Sequence, residues 1–129
     1  MVIPNMNNKP ISLTIPAQPK FARCVRMMAA NLAVVCNMSV DDVEDLRMAA
    51  EEAFVYSCST AADMCTLSFE LNDSVASISA TLGSKPFHTI DDEDIRLVEM
   101  MLSAVSDSFS VEDNVLHIEK TIGRVYDDE

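Results

Sequence analysis

An α+β two-layer sandwich, with a mainly antiparallel sheet covered on one face by three helices, is the fold this sequence predicts. Three observations point to it. Five short segments alternate apolar with polar residues, the period-two pattern of strands buried on one face only. Three longer segments repeat apolar residues at three-and-four spacing, as helices with a buried face do. Their order along the chain is β-α-α-β-β-α-β-β, and one-sided strands with amphipathic helices to match pack as two layers. A length of 129 residues suits one domain, expected over residues 11–124.

Residues 1–10 carry Pro4, Pro10 and three asparagines and read as a flexible segment. Ile11, Leu13 and Ile15 then alternate with Ser12 and Thr14, and Pro16 ends that strand. Pro19 suits a first helical turn. Phe21, Cys24, Val25, Met28, Leu32, Val35 and Cys36 mark the buried face of a helix running to about Asn37. Ser39-Val40-Asp41-Asp42 is a capping-box pattern opening the next helix, where the early acids are favoured by the helix dipole. Its core stripe is Val43, Leu46, Ala50, Ala53, Phe54, Ser57 and Cys58, a second face carries Asp45, Met48, Glu52 and Tyr56, and its end is expected near Asp63.

Cys65, Leu67, Phe69 and Leu71, a turn at Asn72-Asp73-Ser74, then Ala76, Ile78, Ala80 and Leu82 predict a hairpin. Gly83-Ser84-Lys85-Pro86 breaks it, and Thr89-Ile90-Asp91-Asp92 is a second capping-box pattern, opening a helix to about Ser106. That helix has two apolar stripes. One is Ile95, Val98, Leu102 and Val105; the other, Leu97, Met101 and Ala104, is a candidate protein interface. The pairs Met27-Met28 and Met100-Met101 read mainly as core. Phe109 and Val111, a turn at Asp113-Asn114, and Leu116, Ile118 and Ile122 predict a last hairpin, with residues 125–129 a disordered acidic tail.

Composition excludes several functions. The two glycines, Gly83 and Gly123, are too few for a Rossmann fingerprint or a P-loop. A net charge of −12 disfavours nucleic acid and anionic membranes; it fits either a solvated acidic surface or a basic protein partner, and charge alone does not choose between them. The four cysteines form no C-x-x-C pair. Cys24 and Cys36, on one predicted helix, stand about 18 Å apart and cannot be bridged. Buried thiols in a reducing compartment are the expectation. His88 and His117 lie far apart and read as ordinary polar positions. No basic start followed by an apolar run suggests a signal peptide, and no stretch approaches the roughly 20 apolar residues of a membrane span. A cytoplasmic location is expected.

Two segments carry a resemblance. Ile11-Ser12-Leu13-Thr14-Ile15-Pro16-Ala17-Gln18-Pro19 with the following Phe21–Met28 stretch resembles the start of the anti-sigma-factor serine kinases, the RsbW-like branch of the histidine-kinase-like (GHKL, Bergerat-fold) ATPases. So does Ser39-Val40-Asp41-Asp42-Val43-Glu44-Asp45-Leu46 running into Ala49-Ala50-Glu51-Glu52-Ala53. The resemblance covers roughly residues 11–58 and is weak beyond. It implies the same two-layer fold, a homodimer, and two partners: a sigma factor and a STAS-domain anti-anti-sigma protein.

It also implies an ATP-Mg²⁺ site, and there this chain departs from the family. Glu52 stands at the family's catalytic glutamate, but one turn on, where the family has its Mg²⁺-binding asparagine, comes Tyr56, whose neutral, bulky phenol is a poor ligand. The Asp-x-Gly motif, whose carboxylate receives the adenine amino group, is matched by Thr81-Leu82-Gly83. The glycine-rich start of the last helix is matched by Ile95-Arg96-Leu97-Val98-Glu99, so that Arg96 and Val98 stand where the phosphates would be held. A charge-assisted hydrogen bond contributes about 1.5–3 kcal/mol, so the Asp-to-Thr difference alone weakens nucleotide binding roughly tenfold to a hundredfold. The expectation is a degenerate regulator that binds proteins without a cofactor or metal. The alternatives are an active serine kinase using ATP and Mg²⁺ with Glu52 as its catalytic group, and a purely structural interaction module.

Overall fold

The alternating segments form one five-stranded sheet. The computed structural model describes residues 9–72, 74–84 and 92–123, with backbone alone over 92–95. The strands are β1 (Ile11–Pro16), β2 (Met64–Leu71), β3 (Val75–Thr81), β4 (Ser108–Glu112) and β5 (Val115–Thr121), and the helices are α1 (Ala22–Val35), α2 (Val40–Ser59) and α3 (Asp92–Val105). The strand order is β1-β2-β3-β5-β4 and every neighbouring pair is antiparallel. β3 and β4 consequently run parallel, joined through α3, with β5 inserted between them.

The pleat assigns the two faces. Cys65, Leu67, Phe69 and Leu71 of β2, Ala76, Ile78 and Ala80 of β3, and Leu116 and Ile118 of β5 are buried in one core with residues of all three helices. On the other face the register aligns Ser12, Ser68, Ser79, His117 and Ser110 in a single row across all five strands. The hydroxyls of Ser12 and Ser68 lie 3.2 Å apart and those of Thr14 and Thr66 2.8 Å apart, cross-strand pairs that knit this open face. The expected two-layer α+β arrangement is the one observed.

Turn chemistry accounts for the connections. Asn72 accepts from the N–H groups of Ser74 and Val75, both at 2.8 Å, which closes the β2–β3 turn. Asp113 and Asn114 both have positive φ, 53° and 62°, as a type I′ hairpin between β4 and β5 requires. A 3-10 turn over Pro19–Phe21 precedes α1. α1 stops at Val35, two residues short of the expected end. Asn37 takes the left-handed conformation (φ 66°), and the N–H groups of Asn37 and Met38 return to the carbonyls of Val34 and Ala33, a Schellman cap. Ser39 caps α2 as expected, accepting from Asp42 N–H at 3.1 Å. α2 ends at Ser59, four residues before Asp63, because Ala61 turns left-handed (φ 60°).

Three side-chain expectations are corrected. In α1 the buried residues are Val25, Ala29 and Ala33, whereas Cys24 and Val35 are exposed. Apolar residues occur on both sides of this helix, and the side bearing small alanines permits the closer approach to α2. The thiols are consequently mixed: Cys65 is buried, Cys36 and Cys58 half-buried, Cys24 exposed, and all four are free. The methionine pairs divide likewise, with Met27 and Met100 exposed and Met28 and Met101 half-buried. The flexible segment up to residue 8, Asp73, His88, the start of the second capping box at residues 89–91, and the tail at 125–129 lie outside the described residues.

The buried carboxylate of Asp42 ties the first turn of α2 to the end of β5. It accepts from Gly123 N–H at 2.8 Å, and Lys120 reaches toward Asp42 at 3.9 Å and Asp45 at 3.1 Å. Asp42→Ala removes the acceptor of the Gly123 N–H and one anion from beside Lys120; a stability loss of about 1–2 kcal/mol is expected in urea unfolding followed by circular dichroism.

Candidate functional site

The resemblance directs attention to the middle of α2 and the end of β3. α2 is amphipathic, and its buried side carries Leu46, Ala49, Ala50, Ala53, Phe54, Tyr56 and Ser57. Glu52 is half-buried. Burial, and secondarily the neighbouring Glu51 charge, push its carboxyl above the ordinary value. One turn later Tyr56 is packed into the core at 3% exposure. Burial raises its phenol to about 12, and the charge of Glu99 on α3 adds to the shift. Tyr56 and Glu99 thus lie where α2 meets α3. Tyr56, which shares the second face of α2 with Glu52, is buried, and its ring fills core volume.

Thr81 and Gly83 serve to suture the layers. The Ser57 hydroxyl donates to the Thr81 carbonyl at 2.6 Å, while the Thr81 hydroxyl accepts from Thr66 N–H at 2.9 Å. The hydroxyls of Ser57 and Thr81 beside Cys65 offset part of the rise that burial imposes on that thiol. Gly83 N–H donates to the Thr60 hydroxyl at 2.6 Å, and that hydroxyl donates to the Ser57 carbonyl at 2.6 Å. From the other side, Asn114 Nδ2 donates to the carbonyls of Leu82 (2.9 Å) and Gly83 (3.0 Å). A Cβ on Gly83 would lie 2.3 Å from Thr60 O and Ala62 N, so only glycine allows this approach of the β3 exit to the α2 terminus.

The remaining candidates are dispersed. Residues 95–99 are uninterrupted helix within α3, where Arg96 is exposed and Val98 packs against the core. Among the described residues no group of three or more His, Cys, Asp or Glu is placed to hold a metal ion. A groove of about 350 Å³ lies on the open face of the sheet, opposite the helices, lined by Pro10, Ser68, Glu70, Ser77, Ser79 and His117 among others. Glu52 and Tyr56 do not line it. Ser57, Thr60 and Asn114, which make the suture, were not singled out as site residues from the sequence. The available signal was Ser57 itself, a hydroxyl on an otherwise apolar stripe.

No protein-family model matches the chain, and no curated protein matches it either. Among the described residues no helix is long and apolar enough to cross a membrane.

Two outcomes follow for the site. Gly83→Ala forces backbone apart and should lower stability by about 1–3 kcal/mol, read as a shift in the urea midpoint. Because the folded-state phenol of Tyr56 titrates above its unfolded value of 10.0, the unfolded chain releases that proton first as pH rises. Stability linked to Tyr56 is full below pH 10, falls between 10 and about 12, and Tyr56→Phe should flatten that fall in urea melts.

Proposed function

We propose that this chain is a degenerate anti-sigma-like regulator of the GHKL architecture, acting by protein binding and without phosphoryl transfer. Its partners are a sigma factor and a STAS-domain anti-anti-sigma protein, and it works as a homodimer in the cytoplasm. The observation carrying the reading is that the positions resembling the family's nucleotide motifs have structural occupations. Tyr56 fills core volume, Thr81 bonds β2 and α2, and Gly83 abuts the α2 terminus. The segments of strongest resemblance form β1, α1 and α2 as far as Ala53. Function resides in sites rather than folds, so the reading stands on these residues.

One observation favours the active serine kinase instead. Glu52 is half-buried with its carboxyl shifted upward, which suits a group that accepts a proton from a substrate hydroxyl. That role needs ATP and Mg²⁺ held beside it.

Titration calorimetry with ATP-Mg²⁺ separates the two: no saturable heat at micromolar nucleotide is expected, and a micromolar Kd establishes the kinase reading. In transcription reactions with the sigma factor encoded nearest this gene, the protein should inhibit without nucleotide. Glu52→Ala should leave that inhibition within about 0.5 kcal/mol of wild type.

A further inference from the structure

The two edges of the sheet are built differently. β1 forms one, with Pro10 before it, Pro16 at its end and Lys9 beside Pro10. Proline and lysine at such places blunt an edge against pairing with another chain. β4 forms the other edge, and its sequence contains neither.

The register shows which backbone groups of β4 are left over. Leu82 N–H donates to the Asn114 carbonyl and Ile122 N–H to the Ser74 carbonyl, so Leu116, Ile118 and Lys120, in the same alternation, exchange their backbone bonds with β3. Val115, His117 and Glu119 therefore turn their backbone groups to β4, opposite Glu112, Ser110 and Ser108. Thr121, next in that series, also turns its N–H to the β4 side, where it meets the Asp107 carboxylate at 2.6 Å. Phe109 and Val111 are left with N–H and C=O groups pointing away from the sheet, and among the described residues β4 pairs with β5 alone.

The side chains along this edge define what fits it. Phe109 and Val111 lie on the helix side of the pleat, where Phe109 packs against the core and Val111 is 41% exposed. Ser108, Ser110 and Glu112 are exposed on the open face. From Leu97 to Glu119 the chain carries Glu99, Asp107, Glu112, Asp113 and Glu119 and no lysine or arginine. Asp107 and Asp113 bracket the strand, and Glu119 stands opposite Ser108 in the ladder. Lys120 points to the other side of the pleat, where it pairs with Asp45 at 3.1 Å. A second copy of β4 laid on this edge would set acid against acid, whereas a basic strand brings unlike charges together.

We propose that β4 takes up an added strand from a partner protein, an extended segment whose side chains alternate lysine or arginine with aliphatic residues. The free groups of Phe109 and Val111 supply the backbone pairing, and the two faces of the added strand supply the selection. Its aliphatic side chains continue the helix-side cover past Val111, and its basic ones lie on the open face beside Ser108, Ser110 and Glu112. The inference does not rest on the sigma-factor reading, because the chemistry of the edge alone specifies the segment.

The blocked peptide Lys-Val-Lys-Val-Lys-Val-Lys is the probe, titrated into the full chain at low salt and followed by amide hydrogen exchange in nuclear magnetic resonance spectra. Saturable binding with slowed exchange of the Phe109 and Val111 N–H groups is expected. The same peptide with its central valine replaced by proline keeps the charge but breaks the pairing, and should bind about tenfold more weakly. The Glu-Val counterpart should not bind. Val111→Pro removes an N–H that no strand of this chain uses, and should weaken binding with an unchanged circular-dichroism spectrum; Glu112→Lys should weaken it too. An absence of saturable binding, equal binding of the proline peptide, equal binding of the Glu-Val peptide, or protection that spares Phe109 and Val111 overturns the inference. Protection of those two amides that rises with the concentration of the chain alone overturns it in favour of a second copy. Should Val111→Pro lose its spectrum, the exchange of Phe109 and Val111 in the wild-type complex decides.

Discussion

The position of α2 relative to the sheet is the constraint on which the other elements depend. Its first turn is held by Asp42 to Gly123 beyond β5, and its last turn by Ser57 and Thr60 to the exit of β3. Both attachments use buried or half-buried polar groups that find their partners across the layers, an arrangement that fixes register as well as adding stability. Between them Ala49, Ala50 and Ala53 are buried. Small side chains there bring neighbouring elements close, so a shift of the helix by one residue would set larger groups into those contacts.

The second of these attachments accounts for the condition of the region between the end of α2 and the exit of β3. Thr81 and Gly83, at the exit of β3, are each bonded to residues of α2. Ser57, Thr60, Thr81 and Gly83 form a closed chain of short hydrogen bonds from α2 to β3, with Asn114 completing it from the β4–β5 turn. Such a network is costly to open piecemeal, because each freed group is left without a partner in a region of low dielectric. The region thus reads as a joint between layers, and the surfaces left for recognition are the outer helix faces, the open face of the sheet and its β4 edge.

Much of this was legible in the sequence, and the reasons for the remainder are physical. Strand alternation placed every strand to within about a residue or two, because a one-residue slip would turn a whole strand inside out. Ser39 and the Asp113-Asn114 turn were readable because cap and turn chemistry is local. The end of α2 was not, since Ala61 adopts a left-handed conformation that alanine does not advertise. The buried side of α1 was legible in Val25, Leu32 and Cys36, whereas Ala29 and Ala33, whose small side chains give little periodic signal, were not, and Cys24 and Val35 at its margin are exposed. Glu52, Tyr56, Thr81 and Gly83 were identifiable as positions, but the role of Gly83 depends on Thr60 and Asn114, partners 23 and 31 residues away that no local pattern connects.

The strand order carries a consequence for synthesis. β5 follows β4 in the chain, yet it lies inside the sheet and β4 lies at its edge. As the chain leaves the ribosome, β1, β2 and β3 can pair while β4 has nothing to join, because its only neighbour has yet to be made. The exposed side of β3 remains an open edge throughout that interval, a template for pairing with another nascent chain. The tight Asp113-Asn114 turn shortens the delay, since β5 folds back on β4 after two residues and the finished hairpin closes the gap as a unit.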